Sequence, residues 1–141
     1  MKQTEKDLLL KDLCARLPYG VKVQRLSYQI PLKILSINPN GVTWVTKDTG
    51  YPFEVDWAEC KPYLFPLSSM TERQIFEINE ILGGNFEIDK YGITDLIRNK
   101  RTTLSYLELN ALFEYFNKNH FDYRGLIPMG LAIDATGLNI Y

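Results

Sequence analysis

The chain has 141 residues, 45% of them hydrophobic and 23% charged, with a formal net charge of -1. That length is near the commonest domain size and is enough to bury roughly two thirds of the unfolded surface, so folding requires no disulfide or metal. Residues 1–70 carry nine Lys and Arg against seven Asp and Glu, and residues 71–141 carry seven against ten. Neither half has the basic excess that phosphate neutralisation demands, and neither is an acidic tail.

Residues 4–17 read as an amphipathic helix capped at or near Thr4, with Glu5 and Asp7 at its positive end. Leu9, Leu10, Leu13, Cys14 and Leu17 recur at helical spacing as one apolar stripe, which places Cys14 in the core as a buried thiol. Leu8-Leu9-Leu10 is short and closely flanked by Asp7, Lys11 and Asp12, so it does not read as a signal peptide. No stretch approaches the ~18 apolar residues of a membrane span. Cys14 and Cys60 have no ligand spacing. The expected setting is a reducing cytoplasm, although a disulfide between the two is not forbidden. Pro18-Tyr19-Gly20 stops the helix and turns the chain.

A run of short strands follows. Val21 and Val23 alternate with Lys22 and Gln24. A second strand covers about 28–37, where Pro31 calls for an edge position or a bulge. Asn38-Pro39-Asn40-Gly41 is a turn, residues 42–46 are rich in β-branched and aromatic side chains, and Lys47-Asp48-Thr49-Gly50 turns again. Tyr51, Phe53, Val55 and Trp57 then alternate with Pro52, Glu54 and Asp56, giving one oily and one wet face. Turns at about ten-residue spacing predict an antiparallel meander, or a small SH3-like barrel if the sheet closes.

Residues 61–69, with Pro62 and Pro66, read as an extended, partly buried crossing segment. Thr71 and Gln74 fit a capping box, with Met70 stapled against Ile75. The helix behind them uses Ile75, Ile78 and Leu82 and ends at Gly83-Gly84. Phe86–Asp89 reads as a short strand, Tyr91-Gly92 as a turn, and residues 93–101 as either helix or loop. A helix from 104 to about 118, capped by Thr102 or Thr103, is apolar over so broad a surface that it should pack on more than one side. The oily tail from Phe121 to Tyr141 should lie against the body, with Leu131-Ala132-Ile133 as a strand. The expected fold is a single α+β domain over residues 1–141, with a sheet-rich lobe at about 18–67 and a helix-rich lobe at about 70–141.

No assembled catalytic, cofactor or metal motif emerges. His120, the only histidine, could pair with Asp122 as base and orienting carboxylate, but no nucleophile accompanies them. Cys60 with His120 has no local signature, and two cysteines with one histidine have the wrong spacing for a zinc finger. Glu54 and Asp56 share one strand face at roughly 7 Å, compatible with paired-carboxylate chemistry, yet the rings opposite make theirs the solvated face. Gly83-Gly84-Asn85 follows a helix, the reverse of a phosphate cradle. Arg98, Lys100 and Arg101 are the one dense basic cluster. Tyr19, Tyr28, Tyr63, Tyr123 and Tyr141 fall in or beside turns, where an aromatic rim could receive a peptide or stack on a base. Arg124 could join that rim or pair with Asp122.

Three segments, residues 12–23 (DLCARLPYGVKV), 61–71 (KPYLFPLSSMT) and 121–127 (FDYRGLI), resemble an uncharacterised family of short proteins from gut anaerobic bacteria, often in prophage-like or mobile-element settings. The resemblance implies a bacterial cytoplasmic accessory protein and brings no activity or cofactor. The expected function is a non-enzymatic protein-interaction module using Tyr19, Tyr28, Tyr63, Tyr123 and Arg124. The alternative is a nucleic-acid accessory protein contacting phosphates through Arg98, Lys100 and Arg101. No cofactor and no membrane partner are expected.

Overall fold

Residues 9, 12, 13 and 16 have the i, i+3, i+4, i+7 spacing of one helix face. In the computed structural model, which describes residues 1–26, 28–38, 42–47, 50–82 and 105–141, they form the buried face of helix α1, Gln3–Arg16. Leu9 and Leu13 are the expected apolar half of that face; Asp12 and Arg16 are also fully buried. The face is thus rotated from the all-apolar stripe read in the sequence, and Cys14 is exposed rather than buried. Lys2, not Thr4, is the N-cap; its backbone N–H donates to the Glu5 carboxylate at 2.7 Å. A 3-10 turn, Leu17–Tyr19, ends at Gly20, whose φ of 68° a side chain would resist.

The chain divides into two compact units, Met1–Leu64 with Arg124–Tyr141, and Phe65–Tyr123. The expected helix-rich lobe took in all of residues 70–141, whereas the last eighteen residues fold with the sheet.

The first unit holds β1 (Lys22–Arg25), β2 (Tyr28–Ile37), β3 (Val42–Thr46), β4 (Phe53–Asp56), β5 (Cys60–Leu64) and β6 (Ile133–Asp134). Their order is β4-β3-β2-β1-β5-β6. The first four form the expected antiparallel meander; β5 returns to β1 antiparallel and β6 joins β5 in parallel. Among the described residues no hydrogen-bonded pair joins β4 to β5 or β6, so the sheet keeps two edges. It nevertheless wraps one core: Leu9, Leu13, Val23, Leu32, Ile34, Val45, Val55, Trp57 and Cys60 form a single cluster.

The two prolines within strands each have a local setting. Pro31 is in a strand paired on both sides, not at an edge, and it lies in the stretch where the β1–β2 register shifts between Val23 and Arg25. Pro62 is within β5, so residues 60–64 are a full strand rather than a loose crossing segment. Leu26 N donates to Glu59 O, which fixes the alternation of the antiparallel ladder and makes Pro62 and Val23 a non-hydrogen-bonded pair. The missing N–H therefore costs the β1–β5 ladder nothing.

The oily face expected at residues 51–57 is shorter than its pattern. Val55 and Trp57 are buried and Phe53 is partly so, but Tyr51 is 95% exposed. β4 begins only at Phe53, and Trp57 opens a 3-10 turn, Trp57–Glu59, capped by the Asp56 carboxylate. Glu54 and Asp56 are exposed, as read.

The second unit contains a 3-10 turn, Leu67–Ser69, and helices α2 (Glu72–Ile81) and α3 (Tyr106–Lys118). Thr71 and Gln74 make the expected capping box, and Met70, Ile75, Ile78 and Leu82 share one core cluster. The cap of α3 is Ser105 with Glu108. α3 buries Leu112, Tyr115 and Phe116, with Phe113 partly buried against the same cluster, while Tyr106 and Leu107 are exposed. The features expected at Gly83-Gly84, Phe86–Asp89, Tyr91-Gly92, residues 93–101 and the Thr102 or Thr103 cap lie outside the described residues, as do Pro39, Asn40, Gly41, Asp48 and Thr49. Among the described residues no helix is long and apolar enough to cross a membrane.

Candidate functional site

The strongest polar feature of the sheet unit is buried. Arg16 Nε donates to Asp12 Oδ2 at 2.9 Å, and Arg124 Nη1 donates to Asp12 Oδ1 at 2.8 Å. One carboxylate thus receives a guanidinium on each oxygen, and the side chains of Asp12 and Arg16 have no exposure. Charges removed from water need such partners, since a lone buried ion costs several kcal/mol or more. The pair within α1 is four residues apart; the partner from the returning tail is 112 residues away. Chemically this is a clamp.

A second tie lies beside β1. From the Leu26–Glu59 bond, every second pair of the ladder is hydrogen-bonded, so Lys22 N should meet Tyr63 O. Instead, Lys22 N donates to Tyr141 Oη at 3.0 Å, and Tyr141 Oη donates to Tyr63 O at 2.9 Å. The phenol occupies one rung of the sheet. Burial pushes its pKa up to about 12, against the opposing pull of the Lys22 N–H. Lys22 Nζ also donates to Ile140 O at 3.0 Å.

The outward face of the same sheet is where a ligand could reach. Lys22 is opposite Lys33, Gln24 is opposite Lys61, and Trp44 sits between Ser36 and Glu54. Gln24, Leu26, Lys61 and Ile133 line a pocket of about 250 Å³. Gln24 Oε1 accepts from Tyr63 Oη at 3.4 Å, which leaves its Nε2 as the amide's donor. Glu59 is held by Arg25 at 3.1 Å, and Asp134 Oδ1 accepts from Thr136 N at 2.9 Å. Among the described residues the pocket lining therefore has hydrogen-bond donors, two aliphatic walls and no carboxylate.

The residues expected to form an aromatic rim are divided between the two units. Tyr19 ends the turn after α1 and is partly buried, and Tyr28 opens β2. Tyr63 is only 4% exposed. Tyr123 stacks on Phe113 and Phe116, with ring centroids 5.0 Å and 5.5 Å away, and its hydroxyl donates to Asn117 Oδ1. Arg124 is committed to Asp12. Tyr63, Tyr123 and Arg124 thus serve packing and internal polar ties, because their large apolar bodies and donors find partners within their own units. Arg98, Lys100 and Arg101 lie outside the described residues.

Cys60 and His120 belong to different units. The Cys60 thiol donates to Asp56 O at 3.7 Å, and burial, aided by Glu59, pushes its pKa up to about 11, the opposite of an activated thiolate. Both cysteines are free. His120 and Asp122 are buried after α3, where their backbones flank Phe65 in an isolated bridge: Phe65 N donates to His120 O and Asp122 N donates to Phe65 O, each at 2.8 Å. Among the described residues no three His, Cys, Asp or Glu side chains gather as a metal site.

Comparison with protein-family models, with curated proteins and with solved structures returned no match.

Proposed function

We propose that the chain is a non-enzymatic binding module that engages another protein through the outward face of its sheet. The bacterial prophage or mobile-element setting is part of the same proposal and rests on the three-segment resemblance. One observation carries the binding reading. Val23, Leu32, Ile34, Val45 and Val55 turn into the core, while Trp44 at 42% exposure, Leu35 at 43% and Leu26 at 71% remain in water on the same sheet unit. Single exposed apolar residues need no explanation, but an exposed Trp in the middle of a paired strand is the residue type on which interfaces concentrate their energy. The Cys60 thiol, held protonated by burial, supports the non-enzymatic half of the reading.

The test is partner capture from bacterial extract with the intact chain and with a Trp44→Ser, Leu35→Ser variant as baits. The expected result is a specific protein recovered by the first and lost by the second. Equal recovery by both, or none by either, would count against the module.

The nucleic-acid alternative keeps one specific feature: Lys22 and Lys33 are directly opposite each other, with Lys61 on the same face. Like charges so placed repel and would be relieved by phosphate. That reading requires affinity for DNA or RNA that falls steeply with salt; undetectable binding at low salt removes it.

A further inference from the structure

We infer that the pocket formed by Gln24, Leu26, Lys61 and Ile133 receives an acidic side chain of the partner protein, flanked on both sides by aliphatic side chains. This rests on the protein-binding reading and names the chemistry of what is bound.

The arrangement follows from register. Gln24 and Lys61 are directly opposite on β1 and β5, so an amide donor and an ammonium stand side by side. Leu26 lies just beyond β1, two residues from Gln24, and its N–H still bonds Glu59 O, so it continues on the same face about 7 Å away. Ile133 is opposite Tyr63, which is two residues along β5 from Lys61 in the other direction. The donors are thus bracketed by one aliphatic wall on each side. An extended peptide puts residues i-2, i and i+2 on one face at the same ~7 Å spacing. A segment with an acid at i and aliphatic residues at i-2 and i+2 therefore matches the pocket in charge and in the order of aliphatic, polar and aliphatic positions.

Charge complementarity selects the acid. Among the described residues Lys61 has no carboxylate in ion-pair range; Glu59 is taken by Arg25 and Asp134 by the Thr136 N–H. The Tyr63 hydroxyl donates to the Gln24 carbonyl oxygen, which leaves the amide Nε2 as the donor beside Lys61. A neutral amide in the acid's place would lose the charge-assisted bond, which is worth about a tenfold change in affinity.

Edge pairing along β5 is not the binding mode. Beyond the reach of β6, residues 60–62 offer no free donor: Cys60 N is bonded to Trp57 O and Pro62 has none. Side-chain recognition on the face is what remains.

The experiment uses the full chain and a blocked peptide of pattern Leu-Ser-Glu-Ser-Leu, titrated by NMR alongside its Glu-to-Gln and Leu-to-Ser counterparts. Shifts at Gln24, Lys61 and Ile133 are expected with the Glu peptide, about tenfold weaker binding with the Gln peptide, and weakening in added salt. Lys61→Gln should lower affinity for the Glu peptide by a similar factor and leave the Gln peptide unaffected. Lys61 is partly exposed, so an unchanged amide spectrum away from the pocket verifies that the variant folds. Equal binding of the Glu and Gln peptides, or no shift at millimolar Glu peptide, overturns the assignment. Partner capture that still depends on Trp44 in that case leaves the module standing without this pocket.

Discussion

The two units hold themselves together by opposite means. In the sheet unit the polar ties span nearly the whole chain: Asp12 to Arg124 is 112 residues and Lys22 to Tyr141 is 119. In the helical unit they are local: Thr71 with Gln74 and Ser105 with Glu108 are three apart, and Asn119 caps Tyr115 at four. Its longer tie, Tyr115 to Glu77 at 2.7 Å, spans 38 residues. There burial, with the Glu77 carboxylate, holds the phenol proton well above its ordinary range. A sheet built from distant segments must close large loops before its contacts form, whereas capped helices are specified within a turn. The sheet unit is therefore the one whose integrity depends on its last residues.

The largest expected effect is at Asp12. Asp12→Ala leaves two guanidinium groups facing an empty buried site and should cost about 3–5 kcal/mol in urea unfolding. Replacing Asp12, Arg16 and Arg124 together by Leu, Met and Met should recover much of that loss, since the desolvation penalty goes with the charges. A small loss for Asp12→Ala would mean the clamp is not what closes the unit.

Tyr141→Phe sharpens the contrast at a second point. It leaves Lys22 N and Tyr63 O without their bridge and should cost about 1–3 kcal/mol. The pH dependence has a definite sign. The phenol holds its proton more tightly folded than unfolded, so its contribution is complete below the ordinary tyrosine pKa of about 10 and is lost as pH rises through about 12. Absorbance titration should show one fewer late-ionising tyrosine in the variant, and the wild type should lose stability faster than the variant over that window.

The smallest of the three effects belongs to the helical unit. Thr71→Ala removes one side-chain cap and should cost about 1 kcal/mol. Hydrogen exchange should place that loss in α2, with the sheet amides unmoved; a global loss of protection would contradict the local character assigned to this unit.

Local signals were legible and distant ones were not. Thr71 and Gln74 could be read directly because a capping box needs only four consecutive residues. The meander could be read from turn spacing and β-branched runs. The face of α1 was misread because Asp12 and Arg16 at i, i+4 look like an ordinary surface pair; the partner that takes them inside, Arg124, is fixed only by the fold. Tyr51 fitted a period of two yet is outside β4, since periodicity does not mark where pairing begins. Tyr63 and Tyr123 fall in or beside turns of the sequence, yet both are engaged by neighbours that no spacing reveals. The Gln24–Lys61 pocket depends on the β1–β5 register and had no sequence signal beyond an amide and a lysine on separate strands.

The central claim is the proposal that the outward sheet face, with Trp44 exposed on it, meets a protein partner. It is tested most directly by placing a photo-crosslinking amino acid at position 44 and, separately, at the exposed Lys11 of α1, in cells that carry the natural protein. The account expects a discrete heavier adduct from position 44 and none from position 11. An adduct from position 11 alone, or from neither, would contradict it.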